Sequence, residues 1–352
     1  MNFCMTNPHY SVVDSVHPTP EQVRVIPLFA DLDELGLAQI SRGLVYKHVP
    51  QNAYLFRQGS DADTAFFVQS GALSVDSALP GGGEVHLANI GPGNMLGEMS
   101  LVATGVRTAS VRADTDVVGF SMERWFFQSS LAHASPATAR ILRQLIQIVG
   151  ERLRSQYAQI IPMEAGGNTS VPGRNDSDFR SGFDDATKTR SFSYPEFLPR
   201  LGFFSKFQPE EILMFSSKVR SLELPRDVIL FEKDERPASC FFIVRGALEL
   251  CAAQDDGRVP IAVLGPGTFL GTTEIISGGV RVACGRVREE ATIFEISADT
   301  LLELLSDHSC FALKFQLAFC ESLIVDLGTI NKRMARVTSQ ESASTRATHA
   351  SM

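Results

Sequence analysis

A chain of 352 residues, 44% hydrophobic and 20% charged, is long enough for two domains of ordinary size, each with its own core. Its 32 Lys and Arg against 40 Asp and Glu give a net charge of −8, and an acidic surface repels phosphate backbones, which argues against a nucleic-acid binder. The six cysteines form no CxxC pair and have no matching His cluster, so the expectation is no metal site, no disulfide framework and buried free thiols.

Residues 1–24 lack the basic-then-apolar pattern of a targeting leader and read as a flexible N-terminal segment. No apolar run reaches bilayer length, and the chain is expected in the cytoplasm with no membrane span. Over 25–160, short segments alternate apolar and polar residues between Gly, Pro and Asp: AYLFRQG (53–59), AFFVQSGALSV (65–75), VHLANIG (85–91) and TASVRAD (108–114). These predict short strands of an antiparallel sandwich or barrel. A helix follows in 137–157, with Pro136 at its start and Leu142, Leu145, Val149 and Leu153 on one stripe.

Residues 161–195 are rich in Gly, Ser and charge, carry no hydrophobic period, and predict a flexible linker. The earlier pattern then restarts. TAFFVQSGALSV (64–75) returns as SCFFIVRGALEL (239–250) at an offset of 175, and IGPGNMLGE (90–98) returns as LGPGTFLGT (264–272) at 174. This assigns 196–331 to a second, homologous domain. Its closing helix carries Phe315, Phe319, Leu323, Leu327 and Ile330 on one stripe, with Leu317, Ile324 and Val325 off it. A helix apolar on more than one face needs more cover than one barrel gives, so a homodimer through the closing helices is expected. The polar remainder, 332–352, predicts a disordered tail.

The chemistry concentrates in LGEMSLVATGVRTASV (96–111). Gly97 allows a close backbone approach, and Glu98–Leu101 predict a short helix with its N–H groups turned to an anion. Arg107, expected on the following strand, offers a planar fork for charged oxygens, while Glu98 is a carboxylate acceptor for a hydroxyl. The segment resembles the phosphate-binding cassette of the cyclic nucleotide-binding domain family: Gly97, Glu98, Met99, Ser100 and Leu101, then Arg107, Thr108, Ala109, Ser110 and Val111. The resemblance extends over about 25–158 and 196–330 and includes Gly59 and Gly71.

That resemblance implies tandem jelly-roll domains, mainly β with flanking helices, and a cyclic nucleotide, cAMP or cGMP, as ligand. No cofactor or metal is implied. The ligand contacts would be Gly97, Glu98, Met99, Ser100, Arg107, Thr108 and Ala109, with Arg107 on the phosphate and Glu98 on the ribose hydroxyl. A lid over the purine is expected from Arg143, Gln147, Arg152 or Tyr157. Thr108 after the arginine fits either base. The second cassette departs from the family pattern: Gly271 and Arg281 keep their places, but Thr272 replaces Glu98, Val282 replaces Thr108, and Asp234 replaces Gly59. Glu274 is two residues late for the ribose role, so this site reads as degenerate.

Three function classes compete. A sensor that signals to an unidentified protein partner needs nothing beyond the two repeats. A transcription regulator of the catabolite-activator type needs a helix-turn-helix, for which the polar residues after Asn331 are too few. A kinase regulatory subunit needs a basic pseudosubstrate segment, whereas Arg24 is the one Lys or Arg in 1–25. No Ser/His/Asp, metal-ligand or Walker-type arrangement appears, so an enzyme is not expected.

Overall fold

Four consecutive buried residues, Ala65–Val68, mark a strand covered on both faces. Phe66 joins the apolar core between two sheets, whereas Phe67 lies against the ring of Phe29, on the short helix Pro27–Phe29, at 5.3 Å. The computed structural model describes residues 16–78, 84–165, 171–172, 194–254 and 257–350. It divides into two compact units between Ile141 and Leu142.

The first unit begins with the helix Pro20–Arg24, which Thr19 and Gln22 close with a reciprocal capping box, and the helix Glu34–Ser41, capped by Asp33. Two four-stranded antiparallel sheets follow. One orders Leu44–Val49, Val117–Glu123, Thr64–Ser70 and Met95–Leu96; the other orders Tyr54–Phe56, Ser110–Ala113, Leu73–Ala78 and Glu84–Ile90. Val49, Leu55, Phe66, Leu73, Leu96, Val111 and Val117 fill the space between them. Facing antiparallel sheets that share one core make a jelly roll, as expected.

The second unit repeats this plan with longer strands. Ser239–Gln254 pairs with Cys284–Ser297 over most of its length and shifts register at Ile243/Arg245, Arg245/Ala247 and Ala247/Leu248. Those bulges let one strand bend through both layers, where the first unit breaks between Ser70 and Leu73. The glycine at each corner is required. Gly71 has φ +91° and Gly246 φ +84°, and a Cβ would meet the carbonyl oxygens of Asp116 and Glu290 at 2.4 and 2.2 Å. The core is largely aromatic, with Phe203 and Phe242 in ring contact with each other and each with Phe204 and Phe269, at 4.8–5.4 Å.

Several expectations need correction. Cys251 and Cys284 stand directly opposite on paired strands, with Cα atoms 5.2 Å apart, and form a disulfide. Register across a sheet, not spacing along the chain, brings them together. Cys240 and Cys320 are buried thiols as expected, Cys310 is exposed, and Cys4 lies outside the described residues. The helix expected over 137–157 spans Pro136–Ala165, and from Leu142 it belongs to the second unit, although the repeat assigned 25–160 to the first domain. A repeat boundary says nothing about which barrel a connecting helix will cover. Gly150 lies close to Ile276 of the second barrel, where a Cβ would stand 2.9 Å from a side-chain methyl. The last helix runs from Cys310 to Ala350, through positions 332–350 where a disordered tail was expected; that stretch has no Gly or Pro to stop a helix. Most of the linker, 166–170 and 173–193, and most of the N-terminal segment, 1–15, lie outside the described residues.

Among the described residues no helix is long and apolar enough to cross a membrane, and no cluster of His, Cys, Asp or Glu is arranged to hold a metal ion. The closing helix buries Phe315, Phe319 and Leu323 and also Gln316, Cys320 and Ile324, while Val325 is exposed.

Candidate functional site

Gly97 turns the chain sharply at φ +66° as it leaves the strand Met95–Leu96, and the short helix Glu98–Leu101 starts from it. The left-handed conformation suits glycine, and so does the space: a Cβ would lie 2.5 Å from Nη1 of Arg107 and 3.0 Å from the Thr64 carbonyl oxygen. Glu98 and Ser100 are buried, Met99 and Ala109 half-buried, and Thr108 exposed.

Arg107 is 7% exposed. It lies three residues ahead of the strand Ser110–Ala113, in the preceding turn rather than on the strand. Its own N–H donates to the Ser60 carbonyl and its carbonyl accepts from Gly59 N–H, both at 2.8 Å. The guanidinium carbon lies over the Phe56 ring, 3.6 Å from its centre. Nη2 donates to the carbonyl and the hydroxyl of Thr64 at 2.7 and 2.9 Å, and Nη1 donates to Ser100 Oγ at 3.4 Å. All three acceptors are neutral. Nε is buried and makes no hydrogen bond among the described residues. Burial pulls the pKa of Arg107 below its ordinary value; Asp63 and Glu98 oppose that pull and Arg124 adds to it.

The second cassette keeps the frame. Gly271 has φ +79°, and Arg281 is 2% exposed and sits 4.1 Å from the centre of the Phe231 ring. Arg281 N–H donates to the Glu235 carbonyl and its own carbonyl accepts from Asp234 N–H, both at 2.9 Å. Asp234 holds φ +66°, so the replacement of Gly59 keeps the turn. Nη1 donates to the Gly271 carbonyl at 2.5 Å, and Nη2 donates to the Ser239 carbonyl. A carboxylate completes the set: Nη1 also donates to Glu274 Oε2 at 3.1 Å. Thr272 is buried, and Val282 lines the cavity beside it. The helix Thr273–Ser277 turns Glu274 toward Arg281, a direction that the reading of it as a misplaced ribose acceptor did not anticipate.

Arg143, Gln147, Arg152 and Tyr157, the expected lid residues, lie in the part of the helix that belongs to the second unit. Arg143 bonds His308 at 2.9 Å, Gln147 donates to Glu151 at 2.6 Å, and Tyr157 lines the cavity of the second barrel.

A model of the cyclic nucleotide-binding domain matches residues 46–133 and again 221–308, together half of the chain. The chain belongs to the cyclic nucleotide-binding domain family. Both matches lie on the barrels described above, and each includes one cassette. Among curated members, a cyclic nucleotide-gated potassium channel of Mesorhizobium japonicum is 36% identical over 35% of this chain and 32% of its own length. A CRP-like cAMP-activated global transcriptional regulator of Mycobacterium tuberculosis is 28% identical over 42% of this chain and 62% of its own. The match thus spans about a third of the channel and less than two thirds of the regulator. Among solved structures, the N-terminal domain of a transcriptional regulator from Streptomyces coelicolor is 30% identical, over 37% of this chain and 93% of that one, with a TM-score of 0.32.

Within this family frame, sequence reasoning missed Phe56 and Thr64, which hold the arginine from strands 51 and 43 residues away. The repeat carried a faint signal of both, since Phe231 and Ser239 stand at the matching offset of 175.

Proposed function

We propose that the first barrel binds a cyclic nucleotide, cAMP or cGMP, and that the chain is a regulator which passes this signal to a protein partner without a catalytic step of its own. The observation that carries the reading is Arg107, a buried guanidinium whose hydrogen-bond acceptors are all neutral. A buried cation without a bonded counter-charge is costly, and a ligand phosphate would supply that charge. Gly97 leaves room for the approach, and Glu98, buried at the start of the short helix, is the acceptor for the ribose 2′-hydroxyl. Met99, Ser100 and Ala109 complete the cradle, and exposed Thr108 is positioned for the base. The helix Pro136–Ala165 is the transmitting element, because it is one continuous element across the boundary between the units.

A catabolite-activator type of transcription regulator is the second reading. It requires a helix-turn-helix in addition to a nucleotide-binding barrel. The sensor reading needs no such element.

Calorimetry with cAMP and cGMP tests the proposal. Arg107→Ala removes charge-assisted hydrogen bonds worth about 1.5–3 kcal/mol, so affinity should fall by at least about tenfold while the circular dichroism spectrum is kept. Equal affinity in the variant and the parent would refute it. Hydrogen exchange tests the transmitting helix: protection over 136–165 should change with ligand as well as over 96–111.

A further inference from the structure

The two cassettes can be compared atom by atom, because the repeat aligns them. Phe56 matches Phe231, Thr64 matches Ser239, Ser100 matches Glu274, and Arg107 matches Arg281. In each barrel the arginine lies over the aromatic ring, donates Nη2 to the carbonyl of the matching residue 64 or 239, and curls around a left-handed glycine. In each, Nε has no hydrogen-bond partner among the described residues. The partner of Nη1 differs in kind. It is a neutral hydroxyl, Ser100 Oγ, in the first barrel, and the Glu274 carboxylate in the second.

Glu274 is 4% exposed and is held from two sides. Oε2 accepts from Arg281 at 3.1 Å, and Oε1 accepts from the N–H of Val282 at 3.4 Å. One guanidinium N–H and one backbone N–H are the kind of donors that an anionic ligand would recruit. The space left beside them is small. The cavity bounded by Leu153, Tyr157, Thr272, Val282, Leu323 and Asp326 has a volume of about 30 Å³, enough for a water molecule, and Glu274 forms part of its wall.

We propose that Glu274 is a built-in substitute for the ligand's phosphate, so that the second barrel neutralises its own arginine and does not answer to a cyclic nucleotide. The choice between a responsive and a self-filled barrel then lies at one aligned position, Ser100 or Glu274, and not at the lost ribose carboxylate of position 272. The inference rests on the reading of Arg107 as the phosphate anchor.

Calorimetry with cAMP and melting with inorganic phosphate test it. The parent should bind one cAMP per chain, and Arg107→Ala should weaken that binding at least about tenfold without revealing a second site. Ser100→Glu, which copies the second cassette into the first, should lower cAMP affinity by about a hundredfold with the fold retained. In an Arg107→Ala background, Glu274→Ser should make the protein stabilised by millimolar phosphate, and the further change Arg281→Ala should remove that effect. Residual cAMP binding in Arg107→Ala that disappears with Arg281→Ala would overturn the inference, because the second barrel would then take ligand with Glu274 in place. One cAMP per chain, bound as tightly by Ser100→Glu as by the parent, would overturn it alone. A parent that takes no cyclic nucleotide would overturn the reading of Arg107 and this inference together.

Discussion

Gly97 shows how much depends on one missing Cβ. Its φ of +66° costs a non-glycine residue about 1–2 kcal/mol, and an added methyl would press on Arg107, on Phe56 at 2.9 Å and on the Thr64 carbonyl at 3.0 Å. The arginine tip can swing aside but the carbonyl cannot, so Gly97→Ala should displace the guanidinium and distort the turn. We expect a melting temperature lowered by a few degrees and a larger, at least tenfold, loss of nucleotide affinity; a change confined to stability would argue against close contact at this turn. Residues of this kind were legible in the sequence because their chemistry fixes both type and spacing. Gly97, Glu98 and Arg107 could be named together, since an anion, a hydroxyl and a close backbone approach demand those three types. Phe56 and Thr64 could not, because many residues can support an arginine and the chain distance between them is set by the barrel. Glu274 was visible but left without a role: a position along a short helix gives a residue's place, not where its carboxylate points.

At the scale of elements, strand patterns and the offset of 174–175 were enough to give two barrels, because a strand buries its residues by a short local rule. Pairing across a sheet and the cover chosen by a helix follow no local rule, which is why Cys251–Cys284 and the allegiance of helix 142–165 emerged only in three dimensions. That helix and the closing helix place Tyr157 and Asp326 on one cavity. Burial raises the Asp326 carboxyl to about 7, and burial, followed by the charges of Asp326 and Glu274, raises the Tyr157 phenol. An acid whose pKa is higher folded than unfolded holds its proton more tightly in the native state. Its stabilising protonation is therefore complete below the ordinary carboxylate range and is lost as pH rises through about 7. The second unit should melt higher at pH 5.5 than at pH 8 by an increment that Asp326→Asn removes. An unchanged pH dependence in Asp326→Asn would assign the effect to another group.

At the scale of the whole molecule, the two units differ in what stabilises them, and this gives a crossed test. The first unit holds the arginine with neutral partners; the second holds the internal ion pair and the disulfide. A ligand that binds only the native first barrel stabilises it by about 2.7 kcal/mol at a hundred times its Kd. For a unit of this size that is roughly a 5–10 °C rise in melting temperature. The disulfide acts on the other unit: it joins residues 33 apart, and closing such a loop restricts the unfolded chain by about 3–4 kcal/mol. Differential scanning calorimetry should therefore resolve two transitions. Saturating cAMP or cGMP should raise one and leave the other in place, while a reductant, or Cys251→Ser with Cys284→Ser, should lower the second and leave the ligand-sensitive one in place. If nucleotide raised the disulfide-sensitive transition as strongly as the other, the second barrel would be a ligand site, and Glu274 would not be the residue that keeps it silent.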